Sequence, residues 1–251
     1  WLLQTIGPVD LLEAGIPCSG ASRAGVAKRG LKRMEDHPLV GHLVAAVIQW
    51  ISALQPALFV AENVPDYVHS ASASLLIAWL RDAGYQVQHI VLDATDFGSL
   101  EGRRRWFLVA HPPEVTVDLG ALRGSAAHRP TLAEVLDPVP EHDPAWRPVA
   151  YLKRKQDRDA EKGSGFAMQW MSPEAQRIPT LRKGYHKGGS TDPRLRHPSD
   201  PQLSRLLTAA EHARIKGIPP TLLAGLSQSA MHEACGQSVD TRPVIALGRL
   251  L

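Results

Sequence analysis

Apolar residues recur along the first 110 positions in two alternating patterns. Short continuous apolar runs at 9–12, 57–61, 85–93 and 106–110 predict buried strands. Between them, apolar residues three and four positions apart predict helices around 40–54 and 72–83, the second ended by Gly84. The first helical set is Val40, Leu43, Val44, Val47, Ile48, Ile51 and Leu54. This alternation predicts an α/β fold with a parallel or mixed sheet covered by helices.

The periodicity decays after His111, where prolines and glycines become frequent. We therefore predict a second, smaller, loop-rich domain at 113–205, inserted between 1–112 and 206–251. Regular structure is predicted to return at Thr208, because Thr208 and Glu211 have the spacing of a capping box at a helix start. Gly217 is expected to end that helix, and a last helix is expected from about Pro243.

The distribution of charge along the chain indicates what kind of partner the protein binds. The net charge is only +3, but 147–205 holds 13 Lys and Arg against 6 Asp and Glu. A basic segment on a mildly acidic body suggests a surface that binds a polyanion. Two cysteines and the absence of a long apolar run predict a protein of a reducing cytoplasm with no membrane span, and no metal-ligand spacing is present.

Four segments carry candidate chemistry, in a fixed order along the chain. Cys18 lies in the first, 15–22, and Glu62-Asn63-Val64 follows a predicted strand. Arg103 and Arg105 lie in the third, 97–110. The fourth combines 205–217 with 236–243. Taken together, these segments resemble the motifs of the carbon-5 cytosine methyltransferase family, and the variable segment 113–205 lies where that family keeps its target recognition domain.

The resemblance implies a Rossmann-like, S-adenosylmethionine-dependent methyltransferase sheet with an inserted target recognition domain. It also implies methyl transfer to carbon 5 of cytosine in DNA, with the base swung out of the duplex. Cys18 is the expected nucleophile, since a thiolate can add to carbon 6 of the ring. Glu62 is expected to share a proton at nitrogen 3 and Arg105 to hold the carbonyl oxygen. Arg103 is expected to position Glu62 or the catalytic loop.

Further residues follow from the same resemblance. The residues expected to bind the cofactor are Pro17, Gln237, Ser238 and Val239. Those expected to bind the DNA substrate are Ser22, Asn63, Arg182, Lys183 and Tyr185. Of the second group, Asn63 is expected chiefly to fix backbone around the site. Cys235 is interpreted as structural.

Some positions depart from the family pattern. Ser19, Ala21, Glu101 and Gln237 replace its usual residues. The family's F-x-G-x-G cofactor turn does not precede Pro17. We therefore expect either a monomer that has lost several tens of N-terminal residues or a partner chain that supplies the missing cofactor motif. Three alternatives stay open: a transfer RNA cytosine methyltransferase, a DNA-binding relative without catalysis, and an unrelated thiol hydrolase. The last ranks lowest because no histidine context marks a base for Cys18.

Overall fold

A computed structural model of the chain describes residues 5–17, 30, 33–122, 124, 128–163 and 166–251. The chain divides into two compact units. The first comprises 1–92, 104–123 and 247–251, and the second comprises 93–103 and 124–246. The segment 206–246 thus groups with 124–205 by its contacts. The functional division into catalytic and recognition domains stays a prediction.

The first unit contains a mixed four-stranded sheet in the order β1-β2-β4-β3. Its strands are β1 Leu11–Gly15, β2 Leu58–Asn63, β3 Gln86–Asp93 and β4 Arg104–His111. Strands β1 and β2 are parallel, with Gly15 opposite Glu62. Strand β4 runs antiparallel to β2, with Asn63 opposite Trp106. The carboxyl ends of β1 and β2 and the amino end of β4 therefore share one edge of the sheet.

Two helices cover this sheet, as the apolar spacing predicted. They are α1 Leu43–Leu54 and α2 Ala71–Asp82. Ile51, Leu76 and Leu80 are buried in one cluster with strand residues of β2 and β4. Helix α2 begins where the Ser70 hydroxyl accepts a hydrogen bond from the amide of Ala73 at 3.0 Å. The α/β class predicted for this half of the chain is confirmed.

The second unit contains a sheet of very short strands in the order β5-β8-β7-β6. These are β5 Arg147–Pro148, β6 Trp170–Met171, β7 Arg194–Arg196 and β8 Leu203–Arg205. Helix α3 Ala150–Glu161 lies between β5 and β6 in the chain, and helices α4 Ala209–Lys216, α5 Gln228–Gln237 and α6 Thr241–Leu250 come after β8. The loop-rich domain at 113–205 stays a prediction, and the apolar pattern did not predict helices α3 and α5.

Helix α4 begins at the predicted capping box. The Thr208 hydroxyl accepts from the Glu211 amide at 3.1 Å, and the Glu211 carboxylate accepts from the Thr208 amide at 2.7 Å. Gly217, with φ of +67°, ends the helix in the left-handed conformation that glycine adopts readily. Within the described residues, no helix combines the length and apolar character needed to cross a bilayer.

Candidate active site

An ion pair marks the edge where β2 ends and β4 begins. The Nε of Arg105 lies 2.8 Å from Oε1 of Glu62, and the two side chains are 16% and 17% exposed. A second guanidinium nitrogen of Arg105 donates to the carbonyl of Arg104 at 2.8 Å. Two residues that the sequence proposed for catalysis therefore meet here, held by strand pairing and still open to solvent.

Asn63 ties this edge to the end of β1. Its side chain is 1% exposed, and Nδ2 donates to the carbonyl of Ile16 at 3.1 Å. Its Oδ1 accepts from the amide of Val64 at 2.9 Å. A buried amide is costly without hydrogen bonds, and here both of its ends are satisfied. Asn63 thus holds backbone on both sides, while a contact with substrate stays a prediction.

The chain leaves β1 at this same edge. Pro17 follows the anchored Ile16 and is exposed. Cys18 and Ser22, the predicted nucleophile and a predicted substrate contact, lie outside the described residues. The backbone that leads into the predicted catalytic segment is therefore placed at the edge that holds Glu62.

Arg103 belongs to the second unit and has a different environment from Arg105. It is 4% exposed, and its two terminal nitrogens contact Oε1 of Glu101 at 3.4 Å and the carbonyl of Gly236 at 3.2 Å. Glu101 also accepts from the Leu181 amide at 2.8 Å and pairs with Lys216. The described contacts of Arg103 are thus structural, and its predicted positioning of Glu62 stays a prediction.

Lys216 has a buried ion pair that the sequence motifs did not predict. It is fully buried, yet lysine is almost never buried unless it is paired. Its position gave a usable signal, because Ala209, Ala213 and Lys216 follow helical spacing on the buried face of α4. A lysine on such a face predicts a buried carboxylate, and Glu101, which replaces the family's usual glutamine, is that carboxylate.

The predicted cofactor residues near the C-terminus lie at the end of helix α5 and directly after it. Gln237 is its exposed last residue, and Ser238 donates its hydroxyl hydrogen to the carbonyl of Cys235 at 2.8 Å. A Cβ on Gly236 would lie 2.4 Å from backbone atoms of Arg182 and Lys183, so only glycine fits there. The segment is held in one place, with the side chain of Gln237 facing solvent.

The predicted DNA contacts divide into exposed and buried residues. Lys183 is exposed, and Arg182 is half-exposed with its guanidinium held by Asp192 at 2.8 Å and Thr191 at 2.9 Å. Tyr185 is not the surface residue that the sequence suggested. It is 0% exposed, and its hydroxyl donates to the Pro193 carbonyl at 2.8 Å and accepts from the Leu207 amide at 3.0 Å. This burial corrects its assignment as a substrate contact.

Cys235 matches its structural interpretation. The side chain is fully buried and forms no disulfide. Burial raises the pKa of its thiol, an effect that the nearby Lys216 opposes only in part. The thiolate is therefore disfavoured, and a thiolate is what a nucleophilic cysteine requires.

Comparison with known proteins now identifies the class. Residues 3–249 match the model of the C-5 cytosine-specific DNA methylases, so the chain belongs to that family. It is 27% identical over 252 residues to the type II methyltransferase M.MspI of Moraxella sp, which covers 94% of this chain and 54% of M.MspI. It is 29% identical over 246 residues to M.NlaX of Neisseria lactamica, which covers 94% of this chain and 73% of M.NlaX. The chain thus spans about half of the first relative.

Solved structures support the fold. The S. pombe Dnmt2 methyltransferase superposes with a TM-score of 0.70 at 19% identity, over 96% of this chain and 78% of that one. The Entamoeba histolytica methyltransferase EhMeth gives 0.64 at 20% identity, over 96% and 75%. The mixed α/β fold is therefore that of these methyltransferases.

Proposed function

We propose that this protein transfers a methyl group from S-adenosylmethionine to carbon 5 of cytosine in DNA, through a covalent adduct with Cys18. The observation that carries the proposal is the ion pair of Glu62 and Arg105 at the edge where the chain leaves β1 towards Cys18. Membership of the C-5 cytosine-specific DNA methylase family supports the reaction. The names of the type II relatives support DNA as the substrate.

Each side chain has a distinct task in this proposal. The Cys18 thiolate forms a bond to carbon 6, and the electron pair displaced from the 5,6 double bond makes carbon 5 nucleophilic. Glu62 holds a proton at nitrogen 3, where negative charge develops. Arg105 donates hydrogen bonds to the carbonyl oxygen. After methylation, loss of the carbon 5 proton and release of the thiolate restore the double bond and free the enzyme.

Asn63 and Arg105 support Glu62 from two sides. Asn63 fixes the backbone at the end of β2 and at Ile16, two residues before Cys18. Arg105 fixes the direction of the Glu62 carboxylate. Such pre-formed contacts reduce the reorganisation needed when charge develops on the base.

The described residues fit a cofactor site in two places. Pro17 is exposed at the carboxyl end of a parallel strand, which is where sheets of this type bind ligands. Gln237 presents an exposed amide on a segment that Gly236 holds against the backbone of 182–183. From the motifs that they share with the family, we propose that Pro17 in the first unit and Gln237, Ser238 and Val239 in the second are each cofactor-binding residues. S-adenosylmethionine would supply an electrophilic methyl group when bound.

We further propose that 113–205 forms the target recognition domain. Two of its exposed cations, Arg182 and Lys183, would contact phosphates or base edges of duplex DNA. The target cytosine has to leave the stack to reach Cys18 and Glu62, because carbon 6 is not accessible to a thiolate in a stacked duplex.

Incorporation of labelled methyl groups into duplex DNA tests the proposal. We expect wild-type protein to label cytosine and Cys18→Ala to lose this activity. Cys235→Ala is the matched control, since it removes the other thiol of the chain and should keep activity per folded molecule. Full activity in Cys18→Ala would contradict the assigned nucleophile. Labelling of transfer RNA without labelling of DNA would contradict the substrate.

A further inference from the structure

The second unit contains a basic cavity of about 700 Å³. We define the basic cavity by the basic residues of its lining, Arg147, His186, Lys187, Arg194 and His232. None of its lining residues is acidic. Its volume lies in the range of pockets that hold small ligands, roughly 300–1,000 Å³. The cavity therefore combines room for a ligand with a strongly one-sided charge.

Arg194 is the most deeply buried permanent cation in the lining of the basic cavity. It is only 8% exposed, and its terminal nitrogens reach neutral groups, the Ser204 hydroxyl at 3.4 Å and the Gly188 carbonyl at 3.2 Å. Its Nε has no hydrogen-bond acceptor among the described residues, and none of their carboxylates forms an ion pair with it. A buried cation is costly unless an anion compensates it. The described part of the protein leaves that anion to be supplied by a ligand.

Helix α5 adds to the same wall. Its first two residues, Gln228 and Ser229, line the basic cavity, and Ser227 caps the helix by accepting from the Ala230 amide at 3.2 Å. The amino end of a ten-residue helix carries partial positive charge and amide donors. The helix therefore favours an anion at the site where Arg194 needs one.

His232 contributes less charge to the wall of the basic cavity than the arginines and the lysine do. Burial lowers the pKa of His232, and the neighbouring His186 lowers it further, so His232 is neutral near pH 7. His186 lies 4.0 Å from the Glu233 carboxylate, which is 40% exposed and outside the lining. The permanent positive charge of the basic cavity thus comes from Arg147, Lys187 and Arg194.

We propose that the basic cavity is a binding site for a phosphate group, with Arg194 at its base and Arg147 and Lys187 at its exposed side. The choice of a DNA phosphodiester as the source of this phosphate rests on the proposed methyltransferase function. The exposed ring of Tyr151 also lines the cavity, where it can pack against the sugar or base next to the bound phosphate.

The test measures binding rather than methyl transfer, so its result does not depend on Cys18. The full chain is titrated with inorganic phosphate by calorimetry at constant ionic strength, and with labelled duplex DNA over a range of KCl concentrations. The test variants are the double variant Arg147→Gln/Lys187→Gln, whose residues are exposed, and Arg194→Gln, whose folding is checked by circular dichroism. Arg154→Gln is the matched control, an exposed arginine in the same unit outside the lining.

We expect the double variant to bind inorganic phosphate at least about tenfold more weakly, because a hydrogen bond between two charged groups contributes more to the binding free energy than a neutral one. We also expect the slope of log K against log salt for DNA to become shallower by about 1 to 2. The Arg154→Gln control should change neither quantity. Loss of phosphate binding with an unchanged DNA slope would overturn DNA as the source and leave free phosphate. Equal behaviour of the double variant and the control in both titrations would overturn the site itself.

Discussion

Two carboxylate–cation clusters in this protein differ mainly in their access to solvent. Glu62 and Arg105 form a pair that is 17% and 16% exposed at a sheet edge. Glu101 and Lys216 form a pair that is fully buried and shared with Arg103. Similar chemical groups thus lie in one region that solvent reaches and in another that it does not reach.

The difference in solvent exposure predicts different roles for the two ion pairs. A charge pair open to solvent can exchange its hydrogen bonds for those of a ligand, whereas a buried pair cannot do so without leaving charges uncompensated. We therefore expect the exposed pair to govern activity and the buried pair to govern folding.

The largest effect is expected at the exposed pair. Glu62→Gln removes the carboxyl group that we propose holds a proton at nitrogen 3, and it should lower kcat for DNA methylation by about 10²- to 10⁴-fold, the usual range for a lost acid–base group. Glutamine can still accept from Arg105, so we expect the free energy of unfolding to fall by only about 1–2 kcal/mol. Steady-state kinetics and urea titration measure the two quantities. A large loss of stability with an unchanged kcat would remove the contrast.

The reverse outcome is expected at the buried pair. Lys216→Met leaves Glu101 with a weakened set of positive neighbours and should lower the free energy of unfolding by about 3–5 kcal/mol, as is typical when one member of a buried ion pair is removed. The residual kcat of folded protein should change much less than in Glu62→Gln.

A second variant distinguishes the energy of the ion pair from the energy lost through poorer packing at Lys216. Lys216→Met combined with Glu101→Gln removes both charges of the pair but leaves the buried Arg103 without its carboxylate, so we expect it to recover only part of the stability lost in Lys216→Met alone. Urea titrations of the single and double variants give the coupling free energy. A double variant as unstable as the sum of its single changes would show that the ion pair is not what stabilises this region.

The sequence predicted the regular parts of the fold for a physical reason. Helix α1 and strand β2 bury several apolar residues each, and burial of a helix face or strand imposes a visible period. Helix α3 buries only Leu152 and consists mainly of charged residues, so it shows no apolar period. Strands of two or three residues, such as β6, are too short to show any alternation.

The candidate site shows a similar limit. Arg103 and Arg105 are two positions apart, and alternation along a strand would give them the same face. Strand β4, however, begins at Arg104, so the rule does not relate the two, and their environments differ. The sequence motif also could not reveal Tyr185 as a core residue, because an aromatic ring between lysines is equally typical of a nucleic-acid surface.

We expect the free energy of unfolding to fall in acid because of the buried histidine His212. Burial, with further effects of Lys216, His232 and Arg103, lowers the pKa of His212 to about 2. The unfolded chain binds a proton at this histidine below about pH 6.5 while the folded chain does not, so stability falls as pH drops from 6.5 towards 5. We expect a loss of about 2 kcal/mol over that range from His212, with a contribution of the same sign from His232.

The His212→Gln variant provides the matched measurement. Urea titrations at pH 6.5 and pH 5 should show a shallower decline for the variant than for the wild type, because one proton-linked difference between the folded and unfolded states has been removed. An identical decline in both proteins would place the acid sensitivity elsewhere.

The smallest effect tests the corrected role of Tyr185. Tyr185→Phe keeps the buried ring but leaves the Leu207 amide and the Pro193 carbonyl without their hydroxyl contact, which should cost about 1–2 kcal/mol of stability. DNA affinity should stay unchanged, since the hydroxyl faces the interior. Lys183→Gln is the opposing control, for it removes an exposed charge and should weaken DNA binding with little loss of stability. Because the two residues are separated by a single position in the chain, a loss of DNA affinity in folded Tyr185→Phe would show that burial does not distinguish architecture from recognition in this segment.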